Sequence, residues 1–110
     1  MTRDELLQQV AAIIVAVNPC CHEEVEEAAR TILQTCMPVH SFLTRMDLER
    51  IIAVAAEENY RLRTGITREQ VHEIFSHPHG TGGKAMFLAE QGRMVPFILE
   101  KAGYAIAGGP

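Results

Sequence analysis

The chain has 110 residues, a formal net charge of −4 and 47% hydrophobic but only 5% aromatic residues. This length corresponds to one domain that can bury a core without disulfide or metal crosslinks, and the shortage of aromatic residues favours packed helices over a sheet sandwich. The acidity argues against nucleic acid or an anionic membrane as a partner, because binding to either depends on clustered Lys and Arg.

Three helix starts share one pattern, a Thr-Arg pair followed by an acid or amide three residues after the Thr. At such a start the Thr oxygen accepts a hydrogen bond from a free backbone N–H of the first turn, and the acid or amide reaches back to the Thr N–H. The three pairs are Thr2 with Glu5, Thr44 with Asp47 and Thr67 with Gln70.

Apolar residues at helical spacing predict five helices, over residues 4–17, 19–37, 45–63, 68–76 and 84–102. The second half of the first helix is apolar on every side. Asn18 and Pro19 are typical of a helix start, and the second helix is expected to bury Leu33 and Cys36. Residues 39–43 are expected to form a connector or a short helical turn.

The last predicted helix contains Pro96, which has no backbone N–H and crowds the carbonyl of Gly92, so we expect a kink near these two residues. Gly65 is expected to end the third helix in a left-handed conformation. The sequence therefore predicts an all-α fold, a compact bundle of about five helices. One helical domain over residues 1–104 is expected to precede a loose C-terminal tail, residues 105–110.

The cysteines and the apolar runs favour a cytoplasmic protein. Three cysteines, two of them adjacent, give no disulfide framework and favour a reducing compartment. The longest apolar stretch, residues 10–17, is too short to span a bilayer. The acidic residues before it differ from the positively charged start of a signal peptide. We therefore expect no membrane association.

The first and last predicted helices carry more apolar side chains than one face of each can bury. Exposed apolar patches mark contact surfaces, and Met-rich ones adapt to a partner. Because no acid–base, nucleophile or cofactor pattern stands out, we predict a small non-catalytic regulatory or adaptor protein without a cofactor. It is expected to bind another protein, and itself as a homodimer, through an apolar face of the first or last helix. The expected contacts on the last helix are Met86, Phe87, Met94, Phe97 and Ile98.

A second interpretation is a helix-turn-helix regulator that binds DNA through the helices at residues 45–63 and 68–76. In this interpretation Arg61, Arg63 and Arg68 would contact phosphates. Acidic residues on the second of these helices and the net acidity of the chain weaken it.

A third interpretation is a metal-dependent enzyme that uses His72, His77 and His79. Three imidazoles can hold a divalent ion and leave one coordination position open for a reacting water. No carboxylate lies at a spacing that matches a further ligand or a general base, which weakens this interpretation too.

A glycine-rich segment leads into the last helix at Gly82, Gly83 and Lys84. Free N–H groups at a helix start, together with a nearby Lys, can bind an anion. The segment lacks the full pattern of a phosphate-binding loop, so anion binding is a secondary expectation.

Cys20 and Cys21 lie near the predicted start of the second helix, where a lowered pKa would make a thiol reactive. A metal site that joins them to Cys36 is not expected, because the intervening helix would hold Cys21 and Cys36 about 22 Å apart at 1.5 Å per residue. Cys36 is instead expected in the core.

Overall fold

The structure, a computed structural model, describes residues 2–17, 19–36, 42–77 and 82–107, which form five α-helices and two short β-strands. The prediction of an all-α bundle of about five helices is confirmed. The elements are α1 (Arg3–Val17), α2 (His22–Thr35), β1 (Phe42–Thr44), α3 (Arg45–Thr64), α4 (Arg68–Ser76), α5 (Gly82–Lys101) and β2 (Ala105–Ala107).

All three predicted capping boxes form. Thr44 Oγ1 accepts a hydrogen bond from the Asp47 N–H at 3.1 Å, and the Asp47 carboxylate accepts one from the Thr44 N–H at 2.8 Å. These bonds satisfy donors that the first turn of a helix leaves free, and a cap of this kind contributes about 1 kcal/mol. The same reciprocal bonds join Thr2 with Glu5 and Thr67 with Gln70.

The start of α2 lies later than predicted. Its N-cap is Cys21 rather than Asn18, and the Cys21 side chain makes no capping hydrogen bond. The Glu24 carboxylate reaches back from the first turn and accepts the Cys20 N–H at 3.0 Å. A glutamate therefore satisfies a backbone donor in front of this helix, where the sequence suggested an Asn-Pro start.

β1 and β2 correct two predictions, the connector at residues 39–43 and the loose tail at residues 105–110. The two strands pair in parallel, with Leu43 opposite Ile106. Leu43 is fully buried and Ile106 packs against the core, so apolar burial holds both segments in place. The remaining parts of the two predicted segments lie outside the described residues.

One aliphatic core joins α1, α2, α3, α5 and β1. Within the described ranges, α3 packs against α1, α4 and α5, whereas α2 packs against α1 and α5. Cys36 lies in this core, as predicted. The largest fully buried side chains include Leu6, Ile14, Ile32, Leu43, Ile51, Ile98 and Leu99.

Aromatic contacts attach α4 and the beginning of α5 to α3. The Tyr60 ring meets the rings of Phe75 and Phe87 edge to face, with centroid distances of 5.6 and 5.5 Å. Gly65 ends α3 with φ of 74°, which confirms the predicted left-handed residue and lets α4 begin after a short turn.

α5 continues from Gly82 to Lys101 with Pro96 inside it. The helix is thus not divided at Pro96, and a kink near Gly92 and Pro96 stays a prediction. In the part of the chain that is described, no helix combines the length and the apolar character needed to cross a membrane.

Candidate functional site

The five predicted contact residues of α5 fall into different environments. Met86 and Phe97 are 58% and 48% exposed, and Met94 is half-buried against the core. Phe87 and Ile98 are buried within the subunit. The expected contact set is therefore corrected: Phe87 and Ile98 face the core because α5 packs on α3 and α2, and they are not available to a partner.

The two exposed residues do not form one continuous patch. Met86 and Phe97 lie on the same side of α5, since eleven helical positions bring the chain back to within about 20° around the axis. They are about 16 Å apart along the axis. The half-buried Glu90 and the exposed Arg93 occur between them, so only one end of α5 can belong to a compact apolar surface.

Phe97 lies at the end of α5 that packs beside α2. A groove of about 310 Å³ runs between these helices, and Lys101 Nζ lies 5.0 Å from the Phe97 ring centroid. The same ammonium lies 3.9 Å from Glu26 Oε1. Leu33 lines the groove and is 48% exposed. The lining residues are Glu26, Ala29, Arg30, Leu33 and Lys101.

We call this groove together with Phe97 the α2–α5 surface. Its apolar residues are Ala29, Leu33 and Phe97, and its charged residues have both signs. The sequence predicted Leu33 to be buried, and the structure corrects this. Ile32 and Leu33 are neighbours on α2, about 100° apart around the axis. Only Ile32 points into the core.

The large apolar side chains of α1 are buried or partly buried within the subunit. The buried side chains along it are Leu6, Leu7, Val10, Ala11 and Ile14. Its other large apolar residues, Ile13, Val15 and Val17, are partly buried and pack against the core. Among the described residues, no exposed large hydrophobic side chain lies on α1. Val15 of α1 and the 58% exposed Leu62 of α3 line a groove of about 330 Å³. A partner contact through α1 therefore stays a prediction.

The arginines of the predicted helix-turn-helix are engaged within the subunit. Arg61 and Arg68 lie 2.9 and 3.4 Å from the carboxylate oxygens of Glu58, and the Arg63 guanidinium lies 5.1 Å from the Phe87 ring centroid. α3 and α4 do have the expected succession in the chain. The Glu58 carboxylate partly offsets the charges of Arg61 and Arg68, whereas the exposed Arg63 keeps its charge beside Phe87. DNA binding stays an alternative.

Two of the three predicted metal ligands, His72 and His77, lie within the described residues, and a site that joins them to His79 stays a prediction. His72 Nδ1 lies 3.7 Å from Glu57 Oε1, and the His77 carbonyl accepts a hydrogen bond from Lys84 Nζ at 2.6 Å. His79 lies outside the described residues. Across residues 2–17, 19–36, 42–77 and 82–107, the group of metal-ligating side chains that lie close enough to share an ion includes neither His72 nor His77.

That group consists of Cys20, Cys21 and Glu24, whose ligand atoms all lie within 4.8 Å of one another. Cys20 Sγ donates to Glu24 Oε2 at 2.8 Å. This hydrogen bond and the charge of Glu24 raise the pKa of Cys20, and the hydrogen bond lowers the pKa of Glu24. The expectation of a lowered pKa at Cys20 is therefore wrong, because a carboxylate lies beside this thiol.

The Lys84 ammonium contacts the C-terminal end of α4. It donates to the His77 carbonyl and lies 6.0 Å from the Phe75 ring centroid. Anion binding at Gly82, Gly83 and Lys84 stays a prediction, without a free Lys side chain to support it.

Comparison with known proteins finds no relative of this chain. No family model, curated protein or solved structure matches the chain. The α2–α5 surface and the group formed by Cys20, Cys21 and Glu24 are candidate sites that the geometry of the described residues brings together.

Proposed function

We propose that this chain is a small protein-binding regulator that acts as a homodimer, with the α2–α5 surface as its contact face. The observation that carries the proposal is the exposure of Leu33 and Phe97, 48% each, on two helices that pack together beside Lys101. Burying apolar surface of this kind is favourable by about 25 cal/mol per Å², so neighbouring exposed apolar side chains mark contact sites.

The charged residues of the α2–α5 surface favour a second copy of the chain as the occupant. Glu26 is acidic, and Arg30 and Lys101 are basic, so one groove carries both signs. A two-fold axis through the apolar residues can place Glu26 of one protomer against Arg30 of its partner, and the reverse pair forms by symmetry. An isologous interface requires such self-complementarity.

The size of the surface sets the expected strength of the dimer. A stable interface buries about 800 Å² on each partner, more than Leu33, Phe97 and Ala29 can supply. The charged residues around them would therefore take part in the contact. We expect a reversible dimer whose association weakens at high salt, because exposed ion pairs are screened.

The test uses matched aspartate substitutions in the full chain. Light scattering and sedimentation over a concentration series are expected to show a dimer for the unsubstituted chain. Phe97→Asp and Leu33→Asp are expected to weaken association by about tenfold or more, since each places two like charges among apolar side chains. Met86→Asp is the control, because Met86 is more exposed, at 58%, and lies on the same side of α5 away from the surface.

Circular dichroism establishes that each variant is folded. A chain that is monomeric at every workable concentration would overturn the proposal. So would a dimer that Met86→Asp disrupts while Phe97→Asp and Leu33→Asp leave it intact, since the contact face would then lie at the other end of α5.

A further inference from the structure

The beginning of α2 brings two thiols and a carboxylate together. Cys20 and Cys21 are exposed and Glu24 is half-buried, and their ligand atoms lie within 4.8 Å of one another. We propose that Cys20, Cys21 and Glu24 form a binding site for a thiophilic metal ion of the zinc class. This site lies apart from the apolar residues of the proposed dimer contact, because about 18 Å of α2 separates Cys21 from Leu33.

The donor set selects the class of ion. Thiolate sulfur prefers soft and borderline ions such as Zn²⁺ and Cu⁺, whereas Mg²⁺ and Ca²⁺ prefer oxygen alone. Two sulfurs and one carboxylate oxygen are a ligand combination that Zn²⁺ accepts in tetrahedral geometry. Binding releases the protons of both thiols to solvent, and the two thiolates and the carboxylate then surround the ion.

The distances allow coordination without a change of fold. In a tetrahedral site with bonds of about 2.0–2.3 Å, the ligand atoms lie about 3.3–3.8 Å apart. Cys20 Sγ and Glu24 Oε2 are 2.8 Å apart, and the largest separation in the group does not exceed 4.8 Å. Rotation of exposed side chains covers these differences, and the core is not involved.

The position on the helix favours the resulting negative charge. Cys21 is the N-cap residue of α2, and its side chain makes no capping hydrogen bond, so its sulfur is not committed to the backbone. The positive end of the helix dipole lies at this terminus and stabilises thiolate and carboxylate groups.

Among the described residues the site offers three protein ligands, which leaves a fourth coordination position open. The nearest imidazole in sequence, His22, pairs with Glu26 at 3.0 Å through its Nε2 and is not part of the group. Structural zinc sites use four protein ligands, whereas three-ligand sites keep a position for water or an incoming molecule. We therefore infer an ion that exchanges with solution and is not needed for folding.

Calorimetric titration of the reduced full chain with Zn²⁺ tests the site. We expect one Zn²⁺ per chain and an affinity that Cys20→Ser or Cys21→Ser lowers about tenfold or more. Removing a residue that only hydrogen-bonds to a metal ligand already lowers metal affinity by about tenfold or more, and removing the ligand itself should cost at least as much. Glu24→Gln is expected to lower the affinity less. Substitution of Zn²⁺ by Co²⁺ adds a spectroscopic readout, since the visible absorption of tetrahedral cobalt thiolate is expected only when both cysteines are present.

Two controls separate this site from other thiols and acids. Glu23→Gln changes the neighbouring carboxylate of the same helical turn, and Cys36→Ala removes the buried third thiol; neither is expected to change Zn²⁺ affinity. Absence of Zn²⁺ binding, or equal binding by the Cys20→Ser, Cys21→Ser double variant, would overturn the proposal. Phe97→Asp is expected to retain the ion, so failure of the dimer and failure of the metal site are distinguishable.

Discussion

Asp47 takes part in two interactions at once. Its carboxylate accepts the Thr44 N–H in the capping box of α3 and also accepts hydrogen bonds from Arg3 at the start of α1. The hydrogen bond from Arg3 is the main reason why the pKa of Asp47 is lowered from 3.8 to about 2. The ion pair therefore links two helices that are distant in the chain.

This lowered pKa predicts a pH dependence of stability. Because the pKa of Asp47 is lower in the folded chain, the stabilisation is present above the unfolded value of 3.8 and is lost as the pH falls through about 2. Asp47→Asn keeps an oxygen for Thr44 but loses the charge. We expect it to lower the free energy of unfolding by about 1–2 kcal/mol at neutral pH, less than the full linkage value because solvent partly screens Arg3.

Urea unfolding of both proteins at several pH values measures this difference, which should shrink as the pH approaches 2. Glu49→Gln is the control, since Arg45 and Glu49 are 3.8 Å apart with both side chains 70% exposed. Removing such a pair costs less than about 0.5 kcal/mol. Equal stability of Asp47→Asn and the unsubstituted chain at neutral pH would contradict the prediction.

Single residues also show where the sequence could not define the sites. Helical spacing shows the direction in which a side chain points, but not how wide a face of the helix the neighbouring elements bury. The sequence therefore could not show that Ile32 is buried and Leu33 is exposed. The spacing of Cys20 and Glu24 is a sequence signal for the group that they form with Cys21. A carboxylate four residues after a thiol can meet it when a helix begins between them, but the predicted start at Pro19 placed both thiols inside the helix.

Among the elements, local interactions were predictable and distant ones were not. The capping boxes and Gly65 depend on residues three or four positions apart, so α3 and α4 begin at the predicted residues and α1 begins one residue earlier. The pairing of β1 with β2 joins residues 42–44 to residues 105–107. A three-residue strand is too short to show a clear alternation of apolar and polar residues. The sequence of one strand also does not reveal which distant segment pairs with it.

Two glycines give opposite predictions for the stability of their helices. Gly65 has φ of +74° and open space around its missing side chain, so Gly65→Ala is expected to destabilise by about 1–2 kcal/mol through backbone strain alone. Gly92 lies inside α5, also with open space. Gly92→Ala is expected to stabilise by about 0.5–1 kcal/mol, because Gly has the lower helix propensity.

Thermal and denaturant unfolding of the two variants measure both effects, and each variant serves as the control for the other. A stabilising Gly65→Ala would be incompatible with the left-handed end of α3. A destabilising Gly92→Ala would indicate that the backbone near Pro96 departs from a regular helix, as the predicted kink requires.

At the scale of the molecule, packing decides how much apolar surface is left for a partner. The sequence indicated more apolar side chains on the first and the last helix than one face of each can bury. The packing of α1 against α2 and α3 buries much of its apolar surface, which a count of apolar residues cannot show. The exposed Leu33 and Phe97 thus come from two helices whose packing against each other creates a surface that neither sequence segment defines.

A homodimer through this surface predicts that thermal stability depends on protein concentration. Only the folded chain associates, so mass action raises the midpoint temperature, by about 2–5 °C for each tenfold increase above the dissociation constant. Calorimetric scans over a concentration series should show this rise for the unsubstituted chain and for Met86→Asp. Phe97→Asp should give a lower midpoint that rises less over the same concentrations, because its folded state associates more weakly. If the midpoint of the unsubstituted chain does not change with concentration, association does not stabilise this fold and the α2–α5 surface is not a dimer interface.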